Sequence, residues 1–234
     1  QQHINFLIIC MSTFLALRRL LLLLREKRLV FAEQNLKRFL IANITMSHRE
    51  RTRKERYNDK RNVAKTYPIG LCCVNFKHDG NFAYLVRAAA CFGANAIHVI
   101  GSPPPRSAVN SLSGSLYDYV EIEKYSSPMD FLDYIRNNQI RLVAAEICEG
   151  AEPIASYRFD FGRPTILVVG HEELGIPVEI LKNSDKVYIP MPGVGYCLNT
   201  SQTANIMLYE ATKQYENMEI SQNSWNDWEC YHLP

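Results

Sequence analysis

No G-x-G-x-x-G follows the first apolar run of this 234-residue sequence, and no Walker A motif occurs anywhere in it, so ordinary dinucleotide and P-loop chemistry fall away. Long apolar runs are missing too. The uncharged stretch from Ile4 to Leu17 covers 14 residues, and Arg18-Arg19 separates it from Leu20 to Leu24, short of the roughly 20 residues of a spanning helix. A membrane partner is therefore not expected. Cysteine occurs seven times, at 10, 72, 73, 91, 148, 197 and 230, an odd count with no C-x-x-C pair. That spacing excludes a zinc ribbon or a dithiol redox motif, gives no reason to expect a metal, and reads as reduced thiols in the cytoplasm. Charged residues make up only 21% while hydrophobic ones reach 47%, which rules out a disordered chain and suffices for one sizeable domain with appendages.

What charge there is lies unevenly. Residues 1–70 hold 15 Lys and Arg against 5 Asp and Glu, and the remainder 11 against 19, so a segment of net +10 precedes a body of net −8. Residues 1–45 are a hydrophobic and basic N-terminal extension with three open readings: a stretch foreign to the folded protein, an Arg-rich targeting helix, or a membrane anchor. Residues 46–67 form a basic arm. Between Ser47 and Lys65 eight basic residues stand against three acidic ones. Arg49, Arg51, Arg53, Lys54 and Arg56 are candidates for salt-dependent contacts to RNA phosphates, and the alternative is a solvated helical lead-in.

After Pro68 short apolar runs alternate with helical periods. Segments 69–74, 96–100, 119–122, 142–147, 165–169 and 186–189 read as strands. Phe82, Leu85, Val86 and Ala89 repeat at i, i+3, i+4, i+7, which predicts a helix with Asn81 as its N-cap. Shorter helices are expected at 129–135 and 178–181, and a last one from Thr200 carries Ala204, Met207, Leu208, Ala211 and Tyr215 on one face. Strands spaced by helices predict an α/β fold with a mostly parallel sheet covered on both sides. Its domain is expected over residues 68–217, followed by a tail at 218–234.

Ligands of such sheets bind beyond the carboxyl ends of the strands, and three turns there stand out. Asn75 to Arg87 leads into a helix on which Arg87 sits among Ala83, Ala88, Ala89 and Ala90. Small neighbours let a partner approach, and a guanidinium there is suited to gripping a phosphate bidentately. Gly170 to Gly175, GHEELG, places Glu172 at a strand end where a carboxylate needs a partner. His171 has no second metal ligand at helical or hairpin spacing. Residues 189–199, IPMPGVGYCLN, form a glycine- and proline-rich loop running into a helix, a pocket for a small ligand held by main-chain groups. Cys197 lies within it, and a catalytic thiolate would need a nearby histidine.

Taken in order, these segments resemble the SpoU/TrmH-like RNA 2′-O-ribose methyltransferases of the SPOUT superfamily, over about residues 68–217. The family outline N-x-G-x-x-x-R-T-A is similar to Asn81 to Ala89, with Ala83 for Gly and Ala88 for Thr. G-x-E-G-x-G is similar to Gly170 to Gly175, with Glu173 for the middle Gly. The third outline, I-P-M-x-G-x-x-x-S-L-N-x-S-x-A-x-x-x-x-x-Y-E, is similar to Ile189 through Leu198-Asn199, Ser201 and Tyr209-Glu210, with Cys197 for Ser.

The resemblance implies a C-terminal trefoil knot and a homodimer whose site draws on both subunits. It also implies an S-adenosyl-L-methionine pocket lined by Val169, Gly170, Ile189, Met191 and Leu198. Asn81, Arg87, Glu172, Cys197 and Asn199 would support 2′-O-methylation of RNA, with tRNA favoured over rRNA because no large RNA-binding domain precedes the body. A catalytically inactive RNA-binding protein on the same fold is the alternative, motivated by Ala83, Glu173 and Cys197.

Overall fold

The computed structural model describes residues 52–222, with side chains through 219. They fall into two units, one ending at Arg61 and one starting at Asn62. The first contributes helix α1 (Arg53–Arg61). Thr52 and Glu55 start it: the Thr52 N–H donates to Glu55 Oε2 at 2.7 Å, and the Glu55 N–H donates to Thr52 Oγ1 at 3.3 Å. This reciprocal box satisfies donors that the first helical turn leaves open. None of the α1 residues is buried, so Arg53, Lys54 and Arg56 keep their charge near solvent. Arg49, Arg51 and the extension at 1–45 lie outside the described residues.

The second unit runs β1 (Ile69–Val74), α2 (Asp79–Phe92), β2 (Ala96–Ile100), α3 (Arg106–Val109), β3 (Glu121–Tyr125), α4 (Pro128–Asn137), β4 (Arg141–Ala145), β5 (Glu152–Pro153), β6 (Thr165–Val169), α5 (Val178–Leu181), β7 (Asp185–Tyr188) and α6 (Thr200–Gln222). Its seven strands form one sheet in the order β3-β2-β1-β6-β4-β7-β5, and every pairing is parallel. Strand alternation sends Leu71 and Cys73 of β1 and Leu167 and Val169 of β6 to one face. There they pack with Phe82, Leu85 and Val86 of α2 and Ala204, Met207 and Leu208 of α6. Cys72, Ile166 and Val168 point the other way, onto Phe131, Leu132 and Ile135 of α4 and Ile180 of α5. Burial on both faces is why β1 and β6 read as unbroken apolar runs, and each such side chain removed from water contributes roughly 1.5–3 kcal/mol.

Some boundaries differ from those the sequence predicts. The strand expected at 119–122 is displaced: Tyr117–Tyr119 form a 3-10 turn and β3 follows it. As an edge strand with Glu121, Glu123 and Lys124 turned partly to solvent, β3 offers no apolar run. Strands β4 and β7 each begin one residue earlier than expected. Helix α2 starts two residues before Asn81, and the N-cap is His78, in extended conformation and without a side-chain cap bond. Helix α6 continues to Gln222, past the last residue of its apolar period.

Chain order reverses beside β1. Strands β1, β2 and β3 step outward in one direction, then β4 begins beyond β6. The carboxyl ends of β1 and β6 flank this switch point, where a crevice opens in sheets of this kind. Among the described residues no helix is long and apolar enough to cross a membrane.

Candidate active site

The loop after β1 and the turn after β6 meet at that crevice through one carboxylate. Glu172 Oε2 accepts from the Lys77 N–H at 2.9 Å, and Oε1 accepts from the His78 N–H at 3.2 Å and from Asn81 Nδ2 at 2.6 Å. Burial alone pushes the Glu172 carboxyl up, but donors from the Lys77 backbone, the Asn81 amide, its own backbone N–H and His78 outweigh it. The group titrates below its ordinary value, because hydrogen bonds to the charged form favour that form. Glu172 is ionised at neutral pH, and a carboxylate of lowered pKa is a weak base. The same charge, after burial, pushes the neighbouring Cys73 thiol up, so Cys73 stays protonated and inert.

The other side of the Asn81 amide carries the network onward. Asn81 Oδ1 accepts from Asn199 Nδ2 at 2.9 Å, across 118 residues of sequence. Asn199 Oδ1 accepts from the Ser201 N–H at 2.9 Å and from Ser201 Oγ at 2.7 Å, which makes Asn199 the N-cap of α6. Each amide has a donor on one side and an acceptor on the other, so its orientation is dictated by its partners. Thr200 Oγ1 adds a bond to the Gly170 carbonyl at 3.0 Å. Three segments remote in sequence are thereby locked together.

Of the residues the sequence singles out, Asn81, Glu172 and Asn199 share this network, and Gly170 is tied to it through Thr200. Arg87 does not join it. Six residues along α2 from Asn81, its side chain is exposed and unpaired among the described residues. Cys197 is also exposed, and its thiol has no partner among the described residues. Val169 is 1% exposed and so closed off by the sheet, whereas Ile189, Met191 and Leu198 are partly open. Among the described residues no cluster of three or more His, Cys, Asp or Glu is arranged to hold a metal.

Periodicity gave no sign of several contributors. Lys77 pairs its ammonium with Glu173 and its N–H with Glu172. Glu146, just past β4, accepts from the Ile176 N–H at 3.3 Å. His171 Nδ1 accepts from the Glu173 N–H at 3.1 Å and the Leu174 N–H at 3.3 Å. His171 and Gly175 also exchange backbone bonds, both at 3.0 Å. The turn is so tight that a Cβ on Gly170 would lie 2.5 Å from the Gly175 carbonyl carbon. Lys77, His171 and Gly175 lie within segments the sequence singles out, yet nothing local assigns them these bonds, and Glu146 lies outside those segments. A recess of about 460 Å³ lies elsewhere, lined by Arg141, Tyr157, Arg158, Asp185 and Lys186, at the amino ends of β4 and β7 and so away from these turns.

The residues expected to line a cofactor pocket fit that purpose chemically. Val169, Gly170, Ile189, Met191 and Leu198 bring no charge, and Cβ positions at Gly193 and Gly195 meet nothing within 4 Å. Such an uncharged, uncrowded lining suits a ligand with apolar and heterocyclic parts.

Comparison with known proteins agrees with this layout. The profile of the SpoU rRNA Methylase family matches residues 68–209. The tRNA (guanosine(18)-2′-O)-methyltransferase of Aquifex aeolicus (strain VF5) is 31% identical over 144 residues, 61% of this chain and 67% of its own length. The crystal structure of the A. aeolicus TrmH/SpoU tRNA modifying enzyme superposes with a TM-score of 0.62 at 26% identity, covering 76% of this chain and 92% of that one. The SpoU methyltransferase AviRb from Streptomyces viridochromogenes, in complex with the cofactor AdoMet, gives 0.56 at 25% identity, covering 65% and 59%. The profile match takes in every element from β1 into α6, with the Asn81–Glu172–Asn199 network inside it, and the chain belongs to the SpoU rRNA methylase family.

Proposed function

We propose that this protein is an S-adenosyl-L-methionine-dependent RNA ribose 2′-O-methyltransferase acting on tRNA. The observation that carries the reading is the Glu172–Asn81–Asn199 network, which fixes both loops of the crevice at the start of the helix that carries the exposed Arg87. The A. aeolicus relative is named for tRNA guanosine 2′-O-methylation, and the AviRb neighbour was solved with AdoMet. Val169, Gly170, Ile189, Met191 and Leu198 would hold the cofactor, which when bound supplies an electrophilic methyl on a sulfonium. The chain's own residues then divide the work. Arg87 anchors the RNA phosphate and orients the 2′-oxygen; a delocalised guanidinium is a poor base. Glu172 and Asn81 position the loop at 75–80, and Asn199 ties it to α6. Alignment of this kind can lower a barrier by several kcal/mol.

Two further features belong to the same reading. The chain from β7 is threaded back past the turn at 170–175 into a trefoil knot, which the Thr200–Gly170 bond and the placement of β6 between β1 and β4 support. The protein works as a homodimer through α2 and α6, where Tyr84, Ile206 and Tyr209 remain 44%, 36% and 56% exposed. Free thiols among the described residues and an RNA substrate suit the cytoplasm.

Incubation with methyl-labelled S-adenosylmethionine and either bulk tRNA or rRNA tests the activity. Label is expected in tRNA, at a nucleotide resistant to alkaline cleavage. Label in neither RNA, with the cofactor bound, would favour the inactive RNA-binding alternative. Cys197→Ser is expected to keep or raise turnover, because a hydroxyl is a better hydrogen-bonding group than a thiol; a dead serine variant would instead indicate thiol chemistry.

The basic arm bears on affinity alone. Replacing Arg49, Arg51, Arg53, Lys54 and Arg56 by Gln is expected to weaken RNA binding and flatten its salt dependence, each lost phosphate contact lowering the log-log slope by roughly 0.7–0.9. Filter binding across a salt series measures this, and an unchanged slope would reduce the arm to a solvated lead-in.

A further inference from the structure

A turn that reverses the chain in six residues must still satisfy its inward N–H groups. In Gly170–Gly175 those of Glu173 and Leu174 both go to one side-chain atom, His171 Nδ1, at 3.1 and 3.3 Å. A ring nitrogen accepts only through an unprotonated lone pair, so the tautomer that fits carries its hydrogen on Nε2. An imidazolium bears hydrogen on both nitrogens. It has nothing to offer these two donors and would set an N–H against them.

We propose that His171 is the positioning residue of the cofactor turn, acting through its unprotonated Nδ1, so that S-adenosylmethionine binding weakens on acidification. This rests on the reading that Gly170–Gly175 holds the cofactor. The titratable and charged groups on the turn and on the segments bonded to it are Glu172 and Glu173 on the turn, Lys77 and His78 from the β1–α2 loop, Glu146 from the end of β4, and Cys197 three residues ahead of Thr200. None of them substitutes for the ring as acceptor. Glu172 is bound to the Lys77 and His78 N–H groups and to Asn81, Glu173 to the Lys77 ammonium, and Glu146 to the Ile147 and Ile176 N–H groups. Imidazoles gain their second proton between about pH 8 and 5. Protonation at Nδ1 costs the turn two hydrogen bonds, and no other described contact replaces them.

Titration of S-adenosylmethionine into the full chain between pH about 8 and 5.5 tests the proposal. Wild-type affinity is expected to fall about tenfold across that range, the order of one or two lost hydrogen bonds. His171→Ala should already be about tenfold weaker at the upper pH and should show little further fall. His171→Asn should bind within about threefold of wild type and lack the fall, because an Asn side chain accepts from the N–H two residues on and does not titrate. Nitrogen NMR of the ring, without cofactor, should show a bare Nδ1 and a protonated Nε2. A flat wild-type profile, an equal fall in His171→Asn, or a protonated Nδ1 at the upper pH overturns the role of His171. Absence of wild-type binding at any pH overturns instead the cofactor reading on which it stands.

Discussion

Arg87→Ala is expected to lower the rate of methyl transfer at least about a hundredfold while leaving S-adenosylmethionine affinity within about twofold. The asymmetry follows from where the guanidinium sits. It is exposed, unpaired among the described residues and outside the Glu172–Asn81–Asn199 network, so its removal deletes no described hydrogen bond from the fold and opens no cavity. Its charge acts only on what approaches, which in the proposed reaction is a phosphodiester. Arg87→Lys should recover part of the loss, since it restores the charge without the planar fork. Single-turnover methylation with equilibrium cofactor binding separates the two effects. A parallel fall in cofactor affinity would place Arg87 against the cofactor instead.

Gly170→Ala should act in the opposite sense, removing cofactor binding and lowering stability. Its Cβ would meet the Gly175 carbonyl carbon at 2.5 Å, the Gly175 Cα at 2.8 Å and the carbonyl oxygen at 2.9 Å. All three are backbone atoms, so the turn itself must open. Overpacking of this sort costs about 1–3 kcal/mol, a fall of about 2–4 °C in melting temperature for each kcal/mol in a domain of this size. Gly193→Ala is the matched control: nothing lies within 4 Å of its Cβ, and its melting temperature should not move. Equal melting temperatures for the two variants would mean that the turn yields without strain.

How much of this is legible in sequence depends on whether the cause is local. Strands β1 and β6, IGLCCV and TILVV, announce themselves because both faces are buried. Edge strand β3 does not, because solvent on one side lets it carry Glu121, Glu123 and Lys124. Strand β5 spans two residues, too few to show a period. Asn81 illustrates the same limit at the site: a local rule makes it a helix cap, yet its amide serves partners 91 and 118 residues away. Family resemblance brings the three motifs together where periodicity cannot. His171 and Lys77 escape both, since what they supply is an acceptor and an N–H for a turn whose shape exists only in three dimensions.

The position of β6 also sets a schedule for biosynthesis. Ile69 of β1 pairs with Thr165 of β6, 96 positions later in the chain. At roughly 5–20 residues per second of translation, one edge of β1 waits about 5–20 s after its own emergence before its neighbour exists. During that interval β1, β2 and β3 can pair, but β1 presents an open, apolar edge, the kind of surface that recruits chaperones or other nascent chains. Parallel pairing over such a separation is slow. Arrival of β6 between β1 and β4 is therefore the expected rate-limiting step of folding, and a ribosome paused before residue 165 would hold a sheet still lacking its central strand.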